Sequence, residues 1–243
     1  MSKALKNKTK LNDVVDVVAD FGADPTGVAD STSAIQAAIT AVGGGTVFIP
    51  KGIYKISSPF MLSANGVRIV GEGMYATILR HSDSNSRTFR ITADIDYWEV
   101  KDLTVDHSVT ATAGFVFQTE VSGILGGLVQ RVRTSAVYGV FQNTITSGSC
   151  NNISILDCLF LATVEYGIWI QWTVDWRIEN CVVEMSARTA GITALVVESS
   201  NDGLYMTNTL FLNGEKGAVF QNTLGGVASR HFFIEQCSWD GAN

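Results

Sequence analysis

Six short segments recur along the chain: VKDLTV ending at Val105, VQRVRT at Thr134, ILDCLF at Phe160, IENCVV at Val183, MTNTLF at Phe211 and IEQCSW at Trp239. Their fourth residues, Leu103, Val132, Cys158, Cys181, Thr209 and Cys237, lie 29, 26, 23, 28 and 28 positions apart. A weaker copy, Val70 to Gly73, comes earlier. A second unit alternates with the first: GFVFQ from Gly114, GVFQN from Gly139, GIWIQ from Gly167, GITAL from Gly191 and GAVFQ from Gly217. Two short strand signals per period leave no room for paired helices, and the Leu/Asn consensus of a leucine-rich repeat is absent. What remains is an all-β parallel β-helix. Each coil adds about 4.8 Å along the axis, the spacing of hydrogen-bonded strands. A coil cannot bury its own inner face, so only stacking closes the core.

Counting from the fourth residue assigns burial. Five before it stand Trp98, Ile153, Trp176, Leu204 and Phe232. Three before stand Val100, Val129, Ile155, Ile178, Met206 and Ile234, and two after stand Val105, Thr134, Phe160, Val183, Phe211 and Trp239. These columns read as inward ladders. Immediately before the fourth residue come Asp102, Arg131, Asp157, Asn180, Asn208 and Gln236. Such a polar ladder fits a tight bend, where Asn and Asp side chains bond local backbone. Cys158, Cys181 and Cys237 fall in a core column and read as small buried hydrophobes.

In the second unit both alternating sets are apolar. Aligned on their glycines, the copies place Phe115, Val140, Ile168, Ile192 and Ala218 inward, and Val116, Phe141, Trp169, Thr193 and Val219 outward. A strand apolar on both faces is covered on both. This alignment therefore predicts self-association through the outer stripe, most simply as a homotrimer.

Ahead of the coils, Asp20 to Ile56 reads as a cap. Ala34, Ile35, Ala38, Ile39 and Val42 recur at helical spacing and form one apolar stripe. Asp30, Ser31 or Thr32 supplies an acceptor for the first amides, and Gly43 to Gly45 end the helix. The stripe is expected to cover the coils near Val67 to Leu79. The predicted organisation is a basic arm over 1–17, a capping segment over 18–66 and coils over 67–243, stopping part-way through a coil.

Charged residues make up only 16% and the net charge is -6, so nucleic acid is not the expected partner. No apolar run reaches membrane-spanning length. Lys3, Lys6, Lys8 and Lys10 open the chain with no apolar segment behind them, unlike a secretory signal. A route out of a cell other than that pathway is therefore expected. The four cysteines form no CxxC pair, and His81, His107 and His231 are far apart in sequence. Neither a metal centre nor a cofactor is expected.

The stretch ADFGADPTGVADSTSAIQAAI from Ala19, with Gly44-Gly45-Thr46-Val47-Phe48-Ile49-Pro50 and Gly52-Ile53-Tyr54, resembles the start of the pectate-lyase-like superfamily. That resemblance implies a right-handed parallel β-helix with an N-terminal capping α-helix, and polysaccharide as the substrate class. Many phage tailspikes and host-surface depolymerases look like this, as do polygalacturonase-type hydrolases. It does not fix the chemistry, because one scaffold carries lyases, hydrolases and adhesins. The chain also departs from the pattern, with ADPTG where GDG is usual. The hydrolase set N-x-D, D-D, G-H-G and R-x-K is missing in that order, and no adjacent acidic pair matches the calcium cluster of pectate lyases.

Glycoside hydrolysis needs two carboxyl groups about 5 to 10 Å apart across a groove. Glu165 precedes the GIWIQ strand and Asp175 follows it, with Tyr166, Trp169 and Trp172 close by. Glu165 and Asp175 are the candidate catalytic pair, and the three aromatics are the candidate sugar platforms. A competing reading makes both acids solvated turn residues and places Trp169 in a subunit interface. Asp106-His107 is a weaker pair, because consecutive strand residues face opposite sides. Glu120, Glu184 and Glu198 flank strands and are available to a groove formed between subunits. Gly43-Gly44-Gly45 and Gly71-Glu72-Gly73 lack the lysine and following helix of a phosphate loop and read as turns. The leading function is a phage tailspike or tail-fibre protein of the virion. It contacts other tail proteins and binds a bacterial surface polysaccharide, with or without cleaving it. The alternatives are a free extracellular polysaccharide lyase or glycoside hydrolase, and a non-enzymatic structural virion component.

Overall fold

The computed structural model describes residues 14–85, 87–107, 111–143, 150–187, 191–198, 202–221 and 230–241. The chain opens with β1 (Val14–Asp16), β2 (Thr26–Asp30) and α1 (Thr32–Val42), followed by β3 (Thr46–Ile49), β4 (Gly52–Ile56) and β5 (Phe60–Leu62). Next come β6 (Arg68–Gly71), β7 (Thr77–His81), β8 (Phe89–Ile91), β9 (Trp98–His107), β10 (Phe115–Thr119) and β11 (Ile124–Ser135). The middle coils hold β12 (Gly139–Asn143), β13 (Cys150–Leu156), β14 (Leu159–Thr163), β15 (Tyr166–Gln171), β16 (Thr173–Glu179) and β17 (Val182–Met185). The last are β18 (Thr193–Glu198), β19 (Asp202–Thr207), β20 (Leu210–Gly214), β21 (Lys216–Gln221), β22 (Arg230–Glu235) and β23 (Ser238–Gly241).

All ladders are parallel, and they form three faces of a solenoid. The first face runs β1-β3-β6-β9-β11-β13-β16-β19-β22. The second is built from β2, β4 and β7, the far halves of β9 and β11, and then β14, β17, β20 and β23. The third runs β5-β8-β10-β12-β15-β18-β21. The predicted parallel β-helix is therefore observed. Its coils begin earlier than expected, because β1 already pairs with β3, and β3 with β6, across the anticipated boundary at residue 67. Residues 1–13 of the predicted arm lie outside the described residues, and its last part forms β1, Val14–Asp16.

One left-handed residue per coil turns the chain from the first face to the second. Asp102, Arg131, Asp157, Asn180, Asn208 and Gln236 have φ from 47° to 61°, so the polar ladder is a column of bends. Their side chains bond down the column: Arg131 Nε to Asp102 Oδ1 at 2.6 Å, Asn180 Nδ2 to Asp157 Oδ1 at 3.1 Å, and Asn208 Nδ2 to Asn180 Oδ1 at 3.3 Å. The following residue braces each later bend. Cys158, Cys181 and Cys237 thiols and the Thr209 hydroxyl donate to the carbonyl two residues back, at 3.1 to 3.4 Å (Thr209 at 3.0 Å). Cys158 and Cys181 are buried as predicted and Cys237 is half-buried. Burial raises the Cys158 thiol well above its usual range, which keeps the proton this bond uses. A second left-handed column, Tyr97, Gly126, Asn152, Asp175, Gly203 and His231, bends the first face itself.

The three predicted inward columns pair in register, Trp176 with Leu204, Ile155 with Ile178, and Phe160 with Val183. At the far end Ile234 and Trp239 occupy core columns but remain 38% and 37% exposed. The third face departs from the glycine alignment. Phe117 pairs with Phe141, Phe141 with Ile168, Ile168 with Leu195 and Leu195 with Ala218. Phe60, Phe89, Phe117 and Phe141 form a buried ring stack with centroids 5.3 to 5.9 Å apart. The outward column is therefore Met61, Arg90, Gln118, Gln142, Trp169, Val196 and Val219. A one-residue slip exchanges the faces of a strand: Phe141 turns inward and Gln142 outward, so Arg90, Gln118 and Gln142 break the predicted apolar outer stripe, while Trp169 and Val219 keep their outward places.

Helix α1 buries Ile35, Ala38, Ile39 and Val42 against β1, β3 and β5, one coil earlier than predicted. Asp30 Oδ1 accepts the Thr32 N–H at 2.8 Å, whereas the Ser31 hydroxyl accepts the Asp24 N–H at 2.9 Å. Gln36 closes the edge of β5: its Nε2 donates to Met61 O, and its Oε1 accepts Met61 N–H, as a neighbouring strand would. Asp24, in the ADPTG segment that replaces GDG, holds the turn there by accepting the Thr26, Val28 and Ala29 amides. Bonds from the Thr26 hydroxyl and the Ala29 and Thr26 amides lower its carboxyl to about 2. Replacing both Ile35 and Ile39 with Asp puts two charges in this seam and should drive the protein into aggregates on size exclusion. Thr40→Asp, on the exposed face of the same helix, should stay soluble; a soluble, folded Ile35→Asp/Ile39→Asp protein would contradict the capping role.

Candidate functional site

The outer surface of the third face gathers aromatic, amide and carboxylate side chains at its corner with the second face. Glu165 sits in the turn between β14 and β15, and its backbone N–H donates to Tyr138 O one coil earlier at 3.0 Å. Burial, together with hydrogen bonding and charge from the nearby Glu165 carboxylate, pushes the Tyr138 phenol up to about 12, and the same causes raise Tyr166. Both therefore remain protonated donors at neutral pH.

The Tyr166 ring stacks on Phe115 at 6.0 Å and lies 5.1 Å from Trp169. The stack needs a glycine between its members, because a Cβ on Gly139 would stand 2.4 Å from the Phe115 ring. Trp169 Nε1 donates to Glu198 Oε2 at 3.0 Å, and Gln171 Nε2 donates to the same oxygen at 2.9 Å. Glu198 is only 4% exposed, so the indole and the amide supply part of the solvation its carboxylate loses. The Asn143 amide accepts the Gln171 N–H and donates to the Gln171 carbonyl, standing in for a missing rung between β12 and β15. Next to Trp169 in the outward column come Gln142 and Gln118. Gln118 is buried, and its Oε1 has no partner among the described residues. Further along, Arg90 is held by Glu120, with Nε to Oε1 at 2.9 Å.

The structure thus brings together three of the predicted residues, Glu165, Tyr166 and Trp169. It does not bring Asp175 to them. Asp175 lies in β16 on the first face, at a left-handed bend where a Cβ on Gly203 would meet its Oδ1 at 2.3 Å. The six residues of β15 separate it from Glu165, and a strand of that length spans about 20 Å. Trp172, at the bend between β15 and β16, packs against the core instead of the ledge. Glu184 lies on the second face and accepts the Asn213 amide at 3.2 Å. Tyr138, Gln118 and Gln142 were missed. Aligning the copies on their shared Phe-Gln dipeptide, Phe117-Gln118 with Phe141-Gln142, is the signal that finds the last two.

A second cluster joins His81 and His107, which sequence separation had kept apart. They are 26 residues and therefore one coil apart, pair directly between β7 and β9, and stack at 4.7 Å with planes 8° apart. His81 bonds Thr88 Oγ1 at 2.9 Å, and His107 Nδ1 lies 3.3 Å from the Asp83 carbonyl. Asp106 faces away and pairs with Arg80 at 2.9 Å, as the alternation of strand residues predicted. Among the described residues no three His, Cys, Asp or Glu side chains gather to hold a metal ion.

Residues 15–241 match the family model described as rhamnogalacturonase A/epimerase, pectate lyase-like. The chain belongs to this family. Among its relatives, Mannuronan C5-epimerase AlgE2 of Azotobacter vinelandii is 31% identical over 235 residues, covering 87% of this chain and 23% of the relative. Alginate lyase 7 of the same organism is 35% identical over 130 residues, 46% of this chain and 14% of the relative. The chain spans less than a quarter of the length of these relatives. Among solved structures, the N-terminal fragment of bacteriophage Phi29 gene product 12 aligns with a TM-score of 0.70 at 14% identity, covering 93% of this chain and 42% of that one. Tailspike protein 3 of bacteriophage CBA120 aligns at 0.67 and 14%, covering 94% and 37%. At these identities the structural likeness is one of fold.

The histidine pair gives a pH dependence with a definite sign. Burial lowers His81 from 6.5 to about 4, with His107 adding to the effect and Asp83 opposing it. Burial lowers His107 as well, against the Asp83 carbonyl and the Asp83 and Asp106 charges. Between these values the unfolded chain binds more protons, so stability should fall as pH drops from about 6.5 toward 4. The melting midpoint should decline over that window and decline less in His81→Phe/His107→Phe. Equal slopes in the two proteins would contradict the assignment.

Proposed function

We propose that the chain is the polysaccharide-binding β-helix of a phage tailspike or tail-fibre protein, located in the virion tail. Sugar is engaged on the ledge formed by Tyr138, Glu165, Tyr166, Trp169, Gln142, Gln118 and Glu198. The observation that carries this reading is the outward column itself. An indole and two glutamines project from rungs one strand spacing apart, and the innermost, Gln118, keeps a buried carbonyl oxygen without a partner among the described residues. Aromatic faces stack on sugar rings, and a buried unpaired acceptor is suited to a ring hydroxyl. The pectate lyase-like family and the relatives named for mannuronan and alginate support a carbohydrate ligand. Likeness to a phage tailspike supports the setting.

Hydrolytic cleavage uses two carboxyl groups, and those the ledge offers are Glu165 and Glu198, the latter bonded to Trp169. Homotrimeric assembly with other tail proteins belongs to the same proposal. It draws on the tailspike likeness and no longer on an apolar stripe. A free lyase or hydrolase is the alternative, its lyase form favoured by the relative named an alginate lyase.

Incubation with bacterial capsular polysaccharides, scored for binding and for new reducing or unsaturated ends, separates these readings. Binding should occur and should weaken at least tenfold in Trp169→Ala with the melting midpoint nearly unchanged. Products that vanish in Glu165→Gln would make the ledge an active site, whereas binding without products makes it an adhesin. No binding to any capsule, or binding indifferent to Trp169, would overturn the proposal.

A further inference from the structure

The first face carries a hollow that the ledge does not use, and two adjacent glycines make it. Gly127 pairs with Trp98, and a Cβ there would stand 2.5 Å from the indole, so Trp98 fills the inner side of the strand. Gly126 sits at a left-handed bend, where a Cβ would stand 2.8 Å from the Tyr97 ring. Tyr97, one coil earlier in the same bend column, lays its ring against that glycine and stays 64% exposed. Bare backbone beside an aromatic wall leaves a hollow of about 310 Å³, within the size range of small-ligand sites.

The remaining walls come from neighbouring rungs. Leu128 pairs with Glu99 on one side and with Ser154 on the other, and Asn152 follows Gly126 in the bend column. Glu99 is the one charged side chain lining the hollow, and Lys101 Nζ holds it at 2.9 Å. The Tyr97 hydroxyl, the Asn152 amide and the Ser154 hydroxyl make no hydrogen bond among the described residues. An ionic ligand would find its one charged partner already engaged. A purely apolar ligand would strip water from three polar groups and return nothing to them. A sugar ring suits both features, with a C–H face for the tyrosine and hydroxyls for the amide and the serine.

We infer that this hollow is a second carbohydrate site, which takes one sugar ring against Tyr97 on a face of the solenoid separate from the ledge. The ligand class rests on the reading of the chain as a glycan binder, whereas the position is independent of the ledge. The hollow spans β9, β11 and β13, and the ledge lies on β10, β12 and β15 of overlapping coils. A polysaccharide long enough to reach both is held more tightly than by either alone.

The test is calorimetric titration of the full chain and of Trp169→Ala with size-fractionated oligosaccharides from partial hydrolysis of bacterial capsular polysaccharides. Two variants address the hollow. Tyr97→Asn removes the ring and keeps the left-handed bend, which asparagine tolerates, as at position 152. Ser154→Trp fills the hollow from the outer side of β13. In the Trp169→Ala background at least one oligosaccharide should still bind, and each added variant should weaken it at least tenfold. Loss of all binding in Trp169→Ala, or residual binding that either variant leaves unchanged, would overturn the inference. Parent binding that Trp169→Ala leaves unchanged and both hollow variants abolish would remove the ledge as a sugar site and keep this one. No binding of any oligosaccharide to the parent would overturn both.

Discussion

Each coil has to change direction between faces without a loop, and a single left-handed residue makes the turn. For a residue with a Cβ that conformation costs about 1 to 2 kcal/mol, comparable to the net worth of one or two hydrogen bonds. The chain supplies those bonds locally. Asn180 and Asn208 reach the bend below, Arg131 grips Asp102, and Cys158, Cys181 and Thr209 return a proton to the carbonyl two residues back. Because the bends stack, every later position in the coil is held in register, and side chains 23 to 30 residues apart become neighbours. The ring stack from Phe60 to Phe141 and the His81–His107 pair both follow from that registration.

The same logic explains which parts of the structure were legible in sequence. The first two faces were, because their bend carries a polar residue in all six copies, beside a small donor in the last four. That pair marks the register without ambiguity. The third face lacks such a marker. Its glycines look equivalent but answer to different neighbours: Gly139 lies beneath the Phe115 ring, Gly167 against the Ala194 carbonyl, and Gly217 beside Trp239. Aligning them shifts β10 against β12 by one residue and exchanges inside for outside. The second bend column was illegible for a related reason. Tyr97, Asn152, Asp175 and His231 share a backbone conformation but no side-chain chemistry.

That one-residue shift is also where fold meets function. With the glycine alignment, the third face presents an apolar stripe and reads as an interface between copies. With the observed pairing it presents Gln118, Gln142 and Trp169 beside Glu165 and Glu198, a surface built for hydroxyls. Glu165, Tyr166 and Trp169 were found in sequence because they are close neighbours around one strand. Asp175 belonged to the same stretch of sequence, but the bend at Trp172 carries the chain onto another face before reaching it. Pectate lyase-like proteins share the scaffold, so the identity of the outward column carries information that the family alone does not.

The central claim is therefore the register of the third face, and denaturant unfolding of two neighbouring alanine variants tests it directly. Phe141 is fully buried between Phe117 and Trp176, and Phe141→Ala should lose about 3 to 5 kcal/mol of stability. Gln142→Ala, on the outer side, should stay within about 0.5 kcal/mol of the parent. Equal losses, or a larger loss for Gln142→Ala, would mean that the outward column has been assigned to the wrong side of the sheet.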